Sequence, residues 1–185
     1  MKKLMMVAAM MVVVLSANAQ NEVGQITLKP MAGVTLATIT DYNDSKMKVG
    51  LAAGVEAEYG IIDKLGVTGG LLFAMQGSNF DGDDKLKTNY INVPILANYY
   101  VIPGLAIKAG VQPGFLISAK DEDGDDEMDG LNKFDFSIPI GASYEYHNFV
   151  FDARYNFGLT KGNKNGDKSH KNSVFMFTVG YKFAL

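Results

Sequence analysis

After Gln25 the dominant repeat in the chain is two, an apolar residue followed by a small or polar one. That is the period of a β-strand whose two faces meet different surroundings. The C-terminal stretch SVFMFTVGYKFAL sets Phe175, Phe177, Val179, Tyr181, Phe183 and Leu185 on one side, and Val174, Met176, Thr178, Gly180 and Lys182 on the other. In MKVGLAAGVEAEYG the apolar row runs Met47, Val49, Leu51, Val55 and Tyr59, opposite Lys48, Gly50, Gly54, Glu56 and Glu58. LGVTGGLLFAMQGS, NYINVPILANYYV, LAIKAGVQPGFLIS, KFDFSIPIGASYEY and NFVFDARYNFGLT repeat the pattern, and a less regular version spans Ile26 to Thr40. The pattern predicts eight strands, each long enough to cross a bilayer at a tilt, for which ~9 to 11 residues suffice.

The connections alternate in length. GIIDK, IPG and YHN are short, whereas DYNDSK, DGDDK, KDEDGDDEMDGLN and KGNKNGDKSHK are longer and polar. Tight turns at one end and long loops at the other are the layout of a transmembrane barrel, with turns toward the periplasm and loops outside. Tyr59, Tyr99, Tyr144, Tyr146, Phe149, Tyr181 and Phe183 lie near the short turns or the C-terminus, and Phe115, Phe134, Phe157 and Phe175 lie toward the loops. Two aromatic bands around an aliphatic middle match the girdles of such a barrel.

A soluble barrel would show the same alternation with its apolar row turned inward. The second row decides between the two. A water-facing row would be rich in Lys, Glu and Thr, but here it is mostly Gly, Ala, Ser, Thr and Asn, which suit a crowded interior. The apolar row is therefore expected to face lipid. Pro30, Pro94, Pro113 and Pro139 fall inside the strands, where each lacks a ladder donor, and are expected at bulges or strand ends.

At the N-terminus Lys2 and Lys3 precede an apolar run from Leu4 to Leu15 and then SANA, with Ala17 and Ala19 as the small residues of a cleavage site. The run is too short for a membrane-spanning helix, which needs ~20 residues. The expected organisation is a cleaved signal peptide, residues 1–19, followed by one domain, residues 20–185. Loss of the two lysines deepens a formal net charge already at −3, a poor balance for binding nucleic acid. The absence of cysteine excludes disulfides, thiol catalysis and Cys-type metal sites. The fold class expected is all-β, an eight-stranded antiparallel up-and-down transmembrane β-barrel in an outer membrane.

The stretches KPMAGVTLATIT, GVEAEYGIIDKLGVTGGLLFAMQGS, YINVPILANYYVIPGLAIKAGVQPGFLISAK and FDARYNFGLT with NSVFMFTVGYKF resemble the outer-membrane β-barrel domain family that includes PorT-like proteins, small barrels of the OmpA/OmpX type. The most specific parts are INVPIL, the run Pro113 to Leu116, ARYNFGL and GYKF. The resemblance covers nearly all of residues 20–185 and implies an eight-stranded barrel in the outer membrane of a didermic bacterium; the PorT name reflects an accessory role in protein secretion, which the resemblance does not by itself carry to this chain.

Candidate site residues are the charges on the inward row: Glu56, Glu58, Lys108, Glu145, Asp152, Arg154 and Lys182, with Asp135 and Lys29 beside them. Glu56, Lys108, Asp152 and Lys182 are expected at similar depth above the short turns. An eight-stranded lumen is about wide enough for side chains alone, which favours an interlocked ion-pair network over an open polar pathway. The acidic stretch Asp121 to Gly130 fails as a calcium loop, because Asp126 stands where Gly is needed and Asn132 where Glu is needed. Lys161, Lys164, Lys168 and Lys171 make the last loop basic. His147 and His170 are the only histidines, and neither is placed beside a nucleophile held by a third group. No catalytic, metal or cofactor site is expected. The function expected is a structural or interaction role, as an accessory of an envelope or secretion assembly; the alternative is narrow porin-like passage of small solutes. Outer-membrane lipid and envelope or secretion proteins are the expected partners.

Overall fold

Backbone amides cannot stay unpaired in hydrocarbon, so strands that cross a bilayer must close into a barrel. The computed structural model, which describes residues 23–40, 47–79, 85–120, 131–160 and 171–185, shows that closure. Ten strand segments follow in order: β1 (Ile26–Thr40), β2 (Lys48–Ile62), β3 (Leu65–Asn79), β4 (Lys85–Asn92), β5 (Ile95–Ile102), β6 (Leu105–Lys120), β7 (Phe134–Tyr146), β8 (Phe149–Gly158), β9 (Lys171–Tyr181) and β10 (Phe183–Ala184). β4 and β5 are one stave interrupted at Val93 and Pro94, and β9 and β10 are another interrupted at Lys182, giving an eight-stranded antiparallel barrel. It closes where β1 pairs with β2 on one side and with β9 and β10 on the other, Val34 opposite Phe177 and Leu28 opposite Phe183. The signal peptide, the acidic stretch 121–130, Lys161, Lys164, Lys168 and His170 lie outside the described residues.

The two rows read from the sequence separate as expected. Phe177 is 47% exposed and Leu71 57%, whereas their neighbours Thr178 and Leu72 are 4% and 1% exposed. Val49, Leu51, Ile95, Ile107, Phe151 and Val179 share the outer face. In water so continuous an apolar surface would drive association; in a membrane it matches its solvent. The aromatic share of that face is lopsided. β7 to β10 carry Phe134, Phe136, Tyr144, Tyr146, Phe149, Phe151, Tyr155, Phe157, Phe175, Phe177, Tyr181 and Phe183 outward, whereas β2 to β5 carry Tyr59, Phe73 and Tyr99. Many of these rings interlock: Phe149 with Tyr181 at 5.3 Å, and Tyr155 with Phe157 at 4.2 Å and Phe175 at 4.4 Å between centroids.

Each in-strand proline sits where a ladder is interrupted. Pro94 occupies the break between β4 and β5, and its carbonyl still accepts from Gly70 N at 3.1 Å. Pro113 lies across from that break, accepting from Val93 N at 2.8 Å and owing no donor in return. Pro139 falls in the gap where β6–β7 pairing passes from Ala109–Ile140 to Gln112–Ser137. Pro30 falls where β1 changes partner from β10 to β9. A missing N–H costs little where no acceptor faces it.

The turn between β7 and β8 braces the break between β9 and β10. His147 there has φ 55°, and Asn148 accepts from Lys182 N at 2.7 Å while its side-chain amide donates to Lys182 O at 3.0 Å. The break between β9 and β10 is thereby satisfied from the neighbouring turn rather than left open to lipid.

Two outcomes are expected from this arrangement. Phe177→Arg should cost ~2 to 4 kcal/mol if the residue lies near the midplane, measured by chemical unfolding from lipid vesicles. Thr178→Arg should instead lose yield through lumen crowding, in detergent and lipid alike. Equal behaviour of the two variants would contradict the facing. His147→Gly should stabilise the barrel by about 1 kcal/mol, because the left-handed backbone costs a residue with a Cβ roughly that much; no gain would mean that turn contacts of the imidazole offset the strain.

Candidate functional site: a charge lattice in the lumen

Five charged side chains project inward from four staves and meet. Arg154 on β8 is the centre: its Nη1 donates to Glu56 Oε1 at 2.7 Å and its Nε to Asp152 Oδ1 at 2.7 Å. Asp152 lies two residues before Arg154, so both share the inward face of one strand. Lys108 from β6 donates to Asp152 Oδ2 at 2.7 Å. Lys29 from β1 lies 2.8 Å from Glu56 Oε2, at ion-pair distance but off the direction a hydrogen bond prefers, and 3.9 Å from Asp152 Oδ2. None of these side chains is more than 10% exposed. Charges so deeply placed persist only when paired and hydrogen-bonded.

A second cluster lies nearer the short turns. Lys182 pairs with Glu145 at 2.9 Å and its Nζ lies 5.7 Å from the centre of the Tyr100 ring, whose hydroxyl donates to Glu58 Oε1 at 2.7 Å. The expectation that Lys182 shares a level with Glu56, Lys108 and Asp152 is corrected by this: strand stagger carries it into the outer cluster. Across both clusters Lys29, Lys108, Arg154 and Lys182 balance Glu56, Glu58, Glu145 and Asp152. The space between them is a cavity of about 10 Å³, room for roughly one water. Asp135 belongs to neither cluster. It is buried at the loop end of β7, across the side-chain-free Gly114 from Asn92.

Glycines on adjacent staves make room for the lattice. A methyl group at Gly70 would stand 2.7 Å from Glu56 Cγ, one at Gly141 2.6 Å from Arg154 Cβ, and one at Gly180 2.8 Å from Lys29 Cγ. Each charged stem therefore lies across a neighbour with no side chain. The sequence signal was present in the inward glycines, but it reads only as small filling until the register pairs each with its charge.

Toward the loops the lumen turns apolar. Met31, Ala52, Leu72 and Met176 pack together above the lattice, and Tyr90, Leu116 and Ala119, with Leu131 against them, form a second layer near the rim. Neither layer is foreseen in the sequence reading. Amide and hydroxyl pairs such as Asn98 Nδ2 to Thr68 Oγ1 at 2.6 Å and Gln112 Nε2 to Ser137 Oγ at 3.2 Å fill the walls. Among the described residues no group of three or more histidines and carboxylates is placed to hold a metal ion, and His147 sits exposed in its turn.

Arg154→Met should destabilise the barrel by ~3 to 5 kcal/mol, because Glu56 and Asp152 lose their shared partner while staying buried. Adding Glu56→Gln should return part of that loss, with a coupling of about 0.5 to 3 kcal/mol between the two sites. Guanidinium unfolding of the detergent-folded protein measures both, and strict additivity would contradict a shared lattice.

The comparison with known proteins agrees with this architecture. The family pattern described as outer membrane protein beta-barrel domain matches residues 18–162. Among solved structures, Neisserial surface protein A is 16% identical, with TM-score 0.56, covering 91% of this chain and 99% of its own. Ail, the attachment invasion locus protein of Yersinia pestis, solved in complex with the heparin analogue sucrose octasulfate, is 19% identical, with TM-score 0.55, covering 88% and 100%. At such identities the likeness is one of fold. No curated protein sequence matches the chain. With the family pattern spanning most of its length and a closed barrel carrying a lipid-facing wall, the chain belongs to the outer membrane protein β-barrel domain family and is a protein of the outer membrane.

Proposed function

We propose that the protein is a structural or interaction component of the outer membrane, accessory to an envelope or protein-secretion assembly, and neither a solute pathway nor an enzyme. The observation that carries this reading is the filled lumen. A solute entering from the short-turn side meets Lys182, Glu145 and Tyr100, then the Arg154 lattice, then the layer of Leu72, Met31 and Met176. Passage would require parting ion pairs in a low-dielectric interior and then crossing an apolar plug, and both steps oppose a hydrated solute. What is left to the molecule is its outside: a rigid wall in the membrane and loops whose sequence is acidic at 121–130 and basic at 161–171. Opposed charges on loops suit recognition by electrostatic complementarity.

The test is electrical. The purified protein in a planar bilayer should show no stable unitary conductance under moderate voltage. Steady single-channel steps from the unaltered chain would overturn the reading in favour of narrow transport.

A further inference from the structure

The outer wall of β1, β9, β8 and β7 is not smooth. A groove of about 410 Å³ crosses it, within the ~300 to 1,000 Å³ typical of ligand pockets. Two adjacent outward rows build it: Ala32, Val179, Phe151 and Tyr144 in one, Val34, Phe177, Ala153 and Ala142 in the next. The alanines set the floor low, and Phe151, Phe177 and Tyr144 stand as its sides. Asp152, Ser143 and Thr178 also border it, but their side chains are buried toward the lumen, so they offer the groove main chain and no charge.

We infer that this groove retains one acyl chain of a phospholipid from the periplasmic leaflet. The groove is continuous with the lipid-facing wall, so acyl chains are what reach it. Its Tyr144 and Phe151 end stands a few residues from the short β7–β8 turn, which in this class of barrel faces the periplasm, and its Phe177 end reaches toward mid-span, so the inner leaflet supplies the chain. Tyr144 is half exposed at the girdle end and sets its phenol at the level of the head group. An extended peptide segment would need hydrogen-bond partners at this depth of membrane, whereas an apolar chain needs none and gains from matched packing against aromatic edges. The inference rests on the lipid-facing wall alone and is independent of whether the lumen conducts.

The chain contains no tryptophan, so a single introduced indole reports one position. Phe177→Trp places it in the groove, and Leu71→Trp places it on β3, outside the groove. Each variant is folded in vesicles of phospholipid brominated at mid-chain and then diluted into excess unbrominated vesicles with detergent-assisted exchange. The expected result is that quenching at Leu71→Trp is lost on dilution while a residual quench persists at Phe177→Trp. Ala142→Leu with Ala153→Leu, which raises the groove floor, should abolish the residue. Native mass spectrometry of the unaltered protein, which avoids any folding defect of the variants, should find one phospholipid retained after delipidating washes. Equal recovery at both positions, or no retained lipid on the unaltered chain, would overturn the proposal; so would an unquenched Phe177→Trp accompanied by a crosslinked dimer, since a second copy would then cover the wall.

Discussion

Everything in this molecule depends on one seam, the pairing of β1 with β9 and β10. A sheet of the remaining staves would leave two edges of unpaired N–H and C=O groups in hydrocarbon, each costing several kcal/mol. Closing that edge is what permits strands instead of helices to cross the membrane. It also forces the side-chain pattern: once the sheet is a cylinder, one row has only lipid to touch and the other only the lumen. The outward phenylalanines of β9 and the inward Thr178 that follows Phe177 are consequences of the same ring closure.

The interior is where this barrel differs from a pipe. Its centre is held by charges whose attraction matters because water is excluded, and they are accommodated because glycines stand across from their stems. Desolvating five charges is costly, and their mutual geometry repays it only while all are present. Above them the apolar layers need no such reciprocity. The lumen thus combines a part that specifies one arrangement with a part that simply fills space. Both block it.

How much of this was legible follows from what a period of two carries. The facing of Phe177 against Thr178, or of Leu71 against Leu72, could be read directly, since each strand meets lipid on one side along its length. Depth could not. Lys182 was grouped with Glu56 because counting residues from the nearest turn ignores the stagger between staves, which only the register supplies. The prolines looked anomalous for the same reason: whether Pro139 breaks a bond depends on the residue across from it, and β6 has a gap there. Leu72, Met31 and Met176 were written in the sequence as large residues on a small-residue row, yet their convergence from β1, β3 and β9 is a fact of closure. The one-sided crowding of aromatic residues on β7 to β10 was visible as composition and acquires meaning only as a wall.

The clamp of Asn148 on Lys182 has a further consequence for how the cylinder is assembled. A closing strand that slid by one residue would turn Lys182 to lipid and Phe183 inward, reversing every side chain it carries. The paired bonds from the Asn148 main chain and side-chain amide recognise one position of that strand, at the break just beyond the last β8–β9 ladder pair, Phe149 with Tyr181. The β7–β8 hairpin therefore acts as a gauge for the register of the stave that closes the circle.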